Sequence, residues 1–199
     1  ATKRMSCQDL PWVDVILFGH ELDLLRYRLK VHESIFAATV VVEANLTHTY
    51  QPKPLHARES LTQEEIERYR ITLITVPMPP DPKHRRTSTG MIKRRPDEPP
   101  DQTQRRFVNA VISSSFTEHM LYASDVDEIL DPAAVCDLPK KPCIVPALRF
   151  YQFSPYCPVY SETPWQPAII MRTDSSAFRR HVVPNNLPMR YALEHWPPK

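Results

Sequence analysis

Two aspartates, Asp125 and Asp127, are the clearest candidates for chemistry, and they lie in the segment LYASDVDEIL at residues 121–130. Because they alternate, both carboxylates point to the same side of an extended backbone. Two carboxylates that converge repel each other, and one is driven to hold a proton unless a cation lies between them. Hard oxygen ligands favour Mg²⁺, Mn²⁺ or Ca²⁺, and such an ion can neutralise a diphosphate leaving group.

A structural interpretation of the same residues is a solvated acidic turn in which Asp125 caps the following helix. A D-x-D pair is common by chance. This pair, however, follows the apolar residues 121–123, and open α/β sheets bind ligands at such strand ends. An EF-hand loop is excluded because its glycine and distal glutamate are missing. An aspartyl-phosphate phosphatase is disfavoured because Ile129 stands where a threonine or valine is needed.

Apolar runs predict the strands that position these acids. Continuous, largely β-branched stretches occupy residues 12–19, 36–45 and 70–78, which is typical of strands buried on both faces. Further strands are predicted within CIVPALRFYQF and AIIMRTD. Strands and helices alternate in the first half of the chain. This alternation predicts an α/β fold with a mostly parallel central sheet, whose strand ends meet along one edge.

Helical periodicity predicts three longer helices. At residues 20–35 leucines recur at helical spacing, and the Arg and Lys side chains are expected on the opposite, solvated side. Residues 60–69 predict a second helix, with Ser60 or Thr62 as its N-cap and glutamates in its first turn. Residues 101–120 predict a third helix, which precedes the strand that ends in the two aspartates.

Composition narrows the function classes. With 199 residues we expect a single domain over residues 1–199, with a proline-rich and basic loop at residues 77–100. That loop is either a surface insertion or a lid that attracts anions. The net charge of +2 disfavours nucleic-acid binding, and no apolar run is long enough to span a membrane. With only two glycines, there is no glycine-rich phosphate loop, so side chains or a metal must hold any bound phosphates.

Four segments together resemble one enzyme family. They are DVILFGHELDLLRYRL, VVVEANLTHTYQPKPL, QRRFVNAV and YASDVDEILDP. Their order and spacing over residues 13–135 are similar to those of family 17 glycosyltransferases, which include the β-1,4-mannosyl-glycoprotein N-acetylglucosaminyltransferases. The resemblance implies a single GT-A-like (Rossmann-like) nucleotide-sugar-binding domain. It also implies a UDP-sugar donor, a divalent cation (Mn²⁺, with Mg²⁺ as the alternative) and inversion at the anomeric carbon.

The resemblance also implies roles for individual residues. Asp127 would ligate the metal directly, and Asp125 would ligate the metal or contact the ribose or sugar. Glu43, near the end of the second strand, would contact the nucleoside, and Arg106 and Asn109 on the third helix would contact the donor. For the last three, a surface carboxylate and a polar helix face are the structural alternatives.

The C-terminal third is expected to supply the remaining groups. An inverting transfer needs a general base on the acceptor side. Of the carboxylates Glu194, Asp174 and Glu162, Glu194 is preferred and Asp174 is the second choice. His195 would be a third metal ligand, and an exposed histidine is the structural alternative. The segment ALEHWPPK departs from the family because His and Trp are reversed and glycines are lacking. Lys53 and Arg58 are expected to be solvated surface cations, with neutralisation of phosphate charge as the alternative.

The function predicted on this basis is metal-assisted transfer of a sugar from a UDP-linked donor to a glycan or glycoprotein acceptor. The alternative is a catalytically silent module that binds nucleotide sugars or carbohydrate on the same fold. Nucleic acid is not an expected partner, and no membrane span is expected within this chain.

Overall fold

The computed structural model describes residues 10–47, 51–76, 116, 118–135, 137–138, 143–144, 150–151, 158–159 and 169–173. In chain order its elements are β1 (Trp12–Phe18), α1 (Leu22–His32), β2 (Phe36–Ala44), α2 (His56–Ser60), α3 (Gln63–Tyr69), β3 (Ile71–Val76), β4 (Met120–Asp125), α4 (Pro132–Val135), β5 (Cys143–Ile144), β6 (Phe150–Tyr151), β7 (Pro158–Val159) and β8 (Ile169–Arg172).

Six of these strands form one sheet in the order β3-β2-β1-β4-β8-β5, and β6 pairs with β7 separately. β1 pairs in parallel with β2 and with β4, and β2 pairs in parallel with β3. β8 runs antiparallel to both β4 and β5. The predicted α/β fold with a mostly parallel central sheet is therefore confirmed.

The order of the strands creates a switch point between β1 and β4. The chain proceeds from β1 to β2 and β3 on one side, and then places β4 on the other side of β1. Such a reversal opens a crevice at the carboxyl ends of the two strands, where ligands of open α/β sheets bind. Leu17 lies opposite Asp125 and Phe18 lies opposite Glu43. The ends of β1, β2 and β4 therefore meet at one edge of the sheet.

Apolar side chains cover both faces of the sheet, as the continuous apolar runs predict. One face carries a cluster that includes Val13, Val15, Val40, Val42 and Leu121. On the other face the strands pack against α1, in a cluster that includes Ile16, Val41, Leu25 and Leu29. Full burial of one such side chain stabilises the fold by about 1.5–3 kcal/mol. The packing of Leu25 and Leu29 against the sheet therefore stabilises α1 more than its intrinsic helix propensity does.

The helix predicted over residues 60–69 begins later, at Gln63, because Thr62 is the N-cap that the structure uses. The Thr62 hydroxyl accepts from the N–H of Glu65, and the Glu65 carboxylate accepts from the N–H of Thr62, which forms a capping box. Ser60 instead ends the separate helix α2, and Leu61 between the two helices is extended. Of the two N-caps considered, Thr62 is confirmed.

The third predicted helix cannot extend to residue 120, because Met120 begins β4. Residues 101–115 of that helix and the loop at residues 77–100 lie outside the described residues, and the domain extent of residues 1–199 stays a prediction. Within the part of the chain that the structure describes, no helix has the length and apolar character needed to cross a membrane.

Candidate functional site

Asp125 is the last residue of β4, and Asp127 lies in the tight turn that follows, which we call the acidic turn (residues 125–128). The backbone is therefore not extended from Asp125 to Asp127, as the expectation of two carboxylates on the same side assumed. The N–H of Glu128 donates to the carbonyl of Asp125 at 3.1 Å, and the Glu128 carboxylate accepts from the N–H of Asp125 at 3.0 Å. Glu128 is buried and Asp127 is exposed. The third acid of the segment therefore closes the turn, and the turn presents Asp127 outwards.

The exposed carboxylate of Asp127 has two other carboxylates near it. Partial desolvation raises its pKa, a hydrogen bond from its own backbone N–H lowers it, and the nearby carboxylates of Asp125 and Glu21 raise it further, against a smaller opposing effect of Arg28. A carboxylate whose pKa is raised by neighbouring carboxylates gains from binding a cation, because the cation favours the ionised form. A divalent ion held by Asp127 and Asp125 would remove the repulsion, so the two side chains fit the predicted metal in charge and ligand type.

Glu21 comes to this site from the loop after β1, directly across the switch point. Its carboxylate folds back and accepts from the N–H of His20 at 2.9 Å. Burial opposes ionisation of Glu21, but hydrogen bonds from the backbone of residues 19–21 lower its pKa overall. A side-chain carbon added at Gly19 would lie only 3.0 Å from the Glu21 carboxylate, so the glycine makes room for this fold-back.

The acidic turn rests on a buried polar cluster that the sequence prediction placed wrongly. Arg28 was expected on the solvated side of α1, but it is fully buried and faces the sheet. Its guanidinium pairs with Asp14 of β1 and donates to the Ser124 hydroxyl and to the carbonyls of Asp125 and Glu128. Arg28 therefore links the middle of β1 to the backbone of the acidic turn.

Asp14 is the anionic centre of this cluster. Burial alone would raise its pKa, but the charges of Arg28 and His32 and their hydrogen bonds lower the pKa to about 2. His32 Nδ1 lies 2.8 Å from the Asp14 carboxylate, and His32 Nε2 lies 3.1 Å from both the backbone nitrogen and the carbonyl oxygen of Leu130. The cluster thus reaches past the acidic turn to the residues that follow it.

Glu43 lies at the same sheet edge, where β2 ends, but its carboxylate already has protein partners. It accepts from Lys53 Nζ at 2.8 Å and from the N–H groups of His56 and Ala57 at 2.8 and 3.0 Å. Lys53 Nζ also donates to the carbonyl of Gly19 at 2.9 Å. The expectation that Lys53 is a solvated cation is wrong, because its side chain is only 13% exposed. Arg58 is exposed as expected.

The described residues alone do not form a complete set of metal ligands. Among the described residues, no group of three or more His, Cys, Asp or Glu side chains is placed to hold a metal ion. Arg106, Asn109, Asp174, Glu194 and His195 lie outside the described residues. The structure therefore brings Asp125, Asp127 and Glu43 to one edge of the sheet, and the roles of all the predicted site residues stay predictions.

Sequence reasoning missed Asp14, Arg28 and Glu21, although two signals were present. An aspartate inside the otherwise apolar strand WVDVILF requires a buried partner. Leu25, Arg28, Leu29 and His32 follow the spacing of one helix face, and they are the buried residues of α1. Read together, the two signals indicate an ion pair between β1 and α1.

The chain also matches one known protein family over most of its length. The sequence profile described as glycosyltransferase family 17 matches residues 4–184. The match extends well beyond the region of resemblance at residues 13–135, and it ends before Glu194 and His195. No curated protein and no solved structure gives a significant match.

Proposed function

The chain belongs to glycosyltransferase family 17, and we propose that it moves a sugar from a UDP-linked donor to a glycan or glycoprotein acceptor, with inversion at the anomeric carbon. The observation that carries this proposal is the acidic turn, which lies at the switch point of a mostly parallel sheet and presents Asp127 among like charges. Open α/β sheets bind nucleotides at the carboxyl ends of their strands, and a GT-A-like domain would bind its nucleotide sugar at the same place.

Asp127 and Asp125 would hold a divalent cation, Mn²⁺ or alternatively Mg²⁺, through their carboxylate oxygens. The cation supplies positive charge that offsets the charge of a diphosphate leaving group. Because the described residues form no three-ligand group, its other ligands would come from phosphate oxygens, water or His195. Arg106 and Asn109 would contact the donor.

Glu43 would contact the nucleoside only in a limited way. A carboxylate offers about four acceptor positions, and Glu43 uses three of them for Lys53, His56 and Ala57. One position is left for a donor group such as a ribose hydroxyl. Its larger contribution would be to hold the end of β2 against the loop after β1.

The acceptor hydroxyl must lose its proton as it attacks the anomeric carbon, so a carboxylate on the acceptor side is required. Glu194 is the first candidate for this base and Asp174 the second. Of the two, only Asp174 lies within the region that matches the family profile. Transfer activity at saturating donor should therefore be compared in Asp174→Asn and Glu194→Gln, and the variant that loses more activity identifies the base.

A thermal-shift panel of nucleotide sugars, with and without Mn²⁺, tests the proposal. A bound ligand stabilises the folded chain according to its concentration and affinity. We therefore expect one UDP-sugar to raise the melting temperature, and to do so more strongly with Mn²⁺. Asp127→Asn should abolish the Mn²⁺-dependent part, whereas Glu64→Gln, which neutralises an exposed carboxylate on α3, should retain it.

Mn²⁺-dependent donor binding that survives in Asp127→Asn would overturn the metal assignment. Donor binding without turnover of any acceptor, in a sample that hydrolyses no nucleotide sugar, would instead indicate the catalytically silent module.

A further inference from the structure

Arg28 uses all of its hydrogen-bonding capacity inside the protein. A guanidinium carries five N–H donors, and each has an acceptor. Nε donates to Asp14 Oδ2 at 3.0 Å, and the two Nη2 donors go to Asp14 Oδ1 and to the Ser124 hydroxyl. Both Nη1 donors go to backbone carbonyls of the acidic turn. The group is therefore fixed in position and orientation.

The two Nη1 contacts are the informative ones. They join one nitrogen to the carbonyls of Asp125 and Glu128, which are the first and last residues of the acidic turn. The Glu128 carbonyl also accepts from the Tyr122 hydroxyl at 2.8 Å. The two ends of the turn are thus fixed relative to a single buried atom, and the direction in which Asp127 projects depends on the turn between them.

Neutralisation of Asp14 does not account for this arrangement. Asp14 needs only the Nε and Nη2 side of the guanidinium, and the opposite nitrogen contacts the turn alone. A lysine ammonium could pair with Asp14, but it has three donors and no rigid planar fork. It could not bridge the aspartate, the serine and two carbonyls at once.

We propose that Arg28 is a positioning residue for the donor site: it holds the acidic turn in the one conformation that directs the carboxylates of Asp125 and Asp127 to a shared divalent cation. This proposal rests on the proposed function, since it assumes that the turn binds a cation and a nucleotide diphosphate. Arg28 itself is fully buried, so it would touch neither ligand.

The test compares Arg28→Lys with Arg26→Lys in the full chain. Arg26 lies on the same helix and makes a paired contact with the Glu65 carboxylate at 2.7 and 3.3 Å and a contact with the Ser60 carbonyl, all away from the acidic turn. The matched change therefore removes an arginine pair from α1 without loosening the turn. Mn²⁺ affinity is measured by electron paramagnetic resonance, with and without UDP, and backbone hydrogen exchange is followed at residues 125–130.

We expect Arg28→Lys to weaken Mn²⁺ binding about 10- to 100-fold, which is the usual effect of losing a group that orients a metal ligand. Exchange at residues 125–130 should accelerate in the same variant. Arg26→Lys should change neither quantity. A purely structural role for Arg28 would lower the melting temperature but leave the Mn²⁺ affinity of the folded fraction unchanged, and that result would overturn the proposal.

Tyr122→Phe keeps the proposal testable if Arg28→Lys does not fold. It removes only the hydroxyl that donates to the Glu128 carbonyl and retains the pair between Arg28 and Asp14. We expect a smaller change with the same sign in both affinity and exchange, and unchanged values would count against positioning of the turn. If the unaltered chain binds no Mn²⁺, the proposed function fails, while the exchange data still decide whether these contacts hold the turn.

Discussion

Asp14 lies in β1 and Asp127 directly follows the neighbouring strand β4, yet their surroundings shift their pKa values in opposite directions. Asp14 is buried within β1 and has Arg28 and His32 as partners, which hold its pKa at about 2. Asp127 follows β4, is exposed, and faces Asp125 and Glu21, which help to raise its pKa. The protein stabilises the first carboxylate as an anion, whereas its net effect on the second disfavours the anion. Burial alone would predict the reverse order.

The largest effect should come from Asp14→Asn. It leaves the guanidinium of Arg28 buried without its counter-charge, and breaking a buried pair in this way costs about 3–5 kcal/mol. Urea unfolding at neutral pH measures this loss in the free energy of unfolding, with Asp127→Asn as the same chemical change at an exposed site. Equal stabilities for the two variants would remove the distinction between the two aspartates.

Acid should expose the same difference in the unaltered chain. The folded-state pKa of Asp14 lies below its ordinary value of 3.8, so its stabilising effect is present above pH 4 and is lost as the pH falls towards 2. The loss amounts to roughly 2–3 kcal/mol. Glu65, whose pKa Arg26 also lowers to about 2, titrates in the same range.

Glu65→Gln separates these two contributions when the free energy of unfolding is measured between pH 5 and pH 2. The variant should retain a clear decline, to which Asp14 contributes the largest part and Glu21 and Glu33, whose pKa values are lowered less, contribute the rest. A flat profile in this variant would show that the buried pair contributes nothing in acid.

Glu43→Gln asks whether a carboxylate at the edge of the sheet behaves like Asp14 or like Asp127. By its contacts Glu43 belongs with Asp14, since Lys53 and two backbone N–H groups donate to it. Its replacement should leave one buried donor without an acceptor and cost about 1–3 kcal/mol. Urea unfolding with Glu64→Gln as the control measures this cost. If Glu43→Gln lowers the free energy of unfolding no more than Glu64→Gln does, Glu43 resembles Asp127 in contributing little to stability.

Asp127→Asn should have the smallest effect on stability. Because the pKa of Asp127 is raised in the folded state, its ionisation destabilises the fold as the pH rises through that range, and the amide removes this effect. We expect the free energy of unfolding at pH 7 to stay within about 0.5 kcal/mol of the unaltered chain or to increase slightly. A clear loss would mean that Asp127 has a structural role that its exposure does not indicate.

The apolar strands and the capping box were predictable from the sequence because their patterns are local. The structure has strands at residues 12–18, 36–44 and 71–76, close to the predicted runs. Thr62 and Glu65, which form the capping box, are only three residues apart. The position of Asp125 and Asp127 after a buried strand was predictable for the same reason. These features need no knowledge of which strands become neighbours.

The support of the acidic turn was not predicted because it depends on contacts between distant segments. A charged residue on a helix is assigned to the solvated side by default, and only its pairing with Asp14 makes burial of Arg28 favourable. Lys53 was misplaced for a similar reason, since its partners Gly19 and Glu43 come from two other strand ends. In each case a buried acid in an apolar strand was the sign that a cation must join it.

The span of the Arg28 contacts along the chain has a consequence for the order of folding. Arg28 and Asp14 are separated by 14 residues, whereas Arg28 and Asp125 are separated by 97. Closing the shorter loop costs less chain entropy, so the ion pair can form while β1, α1 and β2 assemble. Three of the five guanidinium donors then lack their final acceptors until β4 docks beside β1. We therefore expect these three donors to bind β4 when it pairs with the assembled β1, α1 and β2. Only one register of β4 satisfies all three donors, so this register is favoured over registers shifted along the strand.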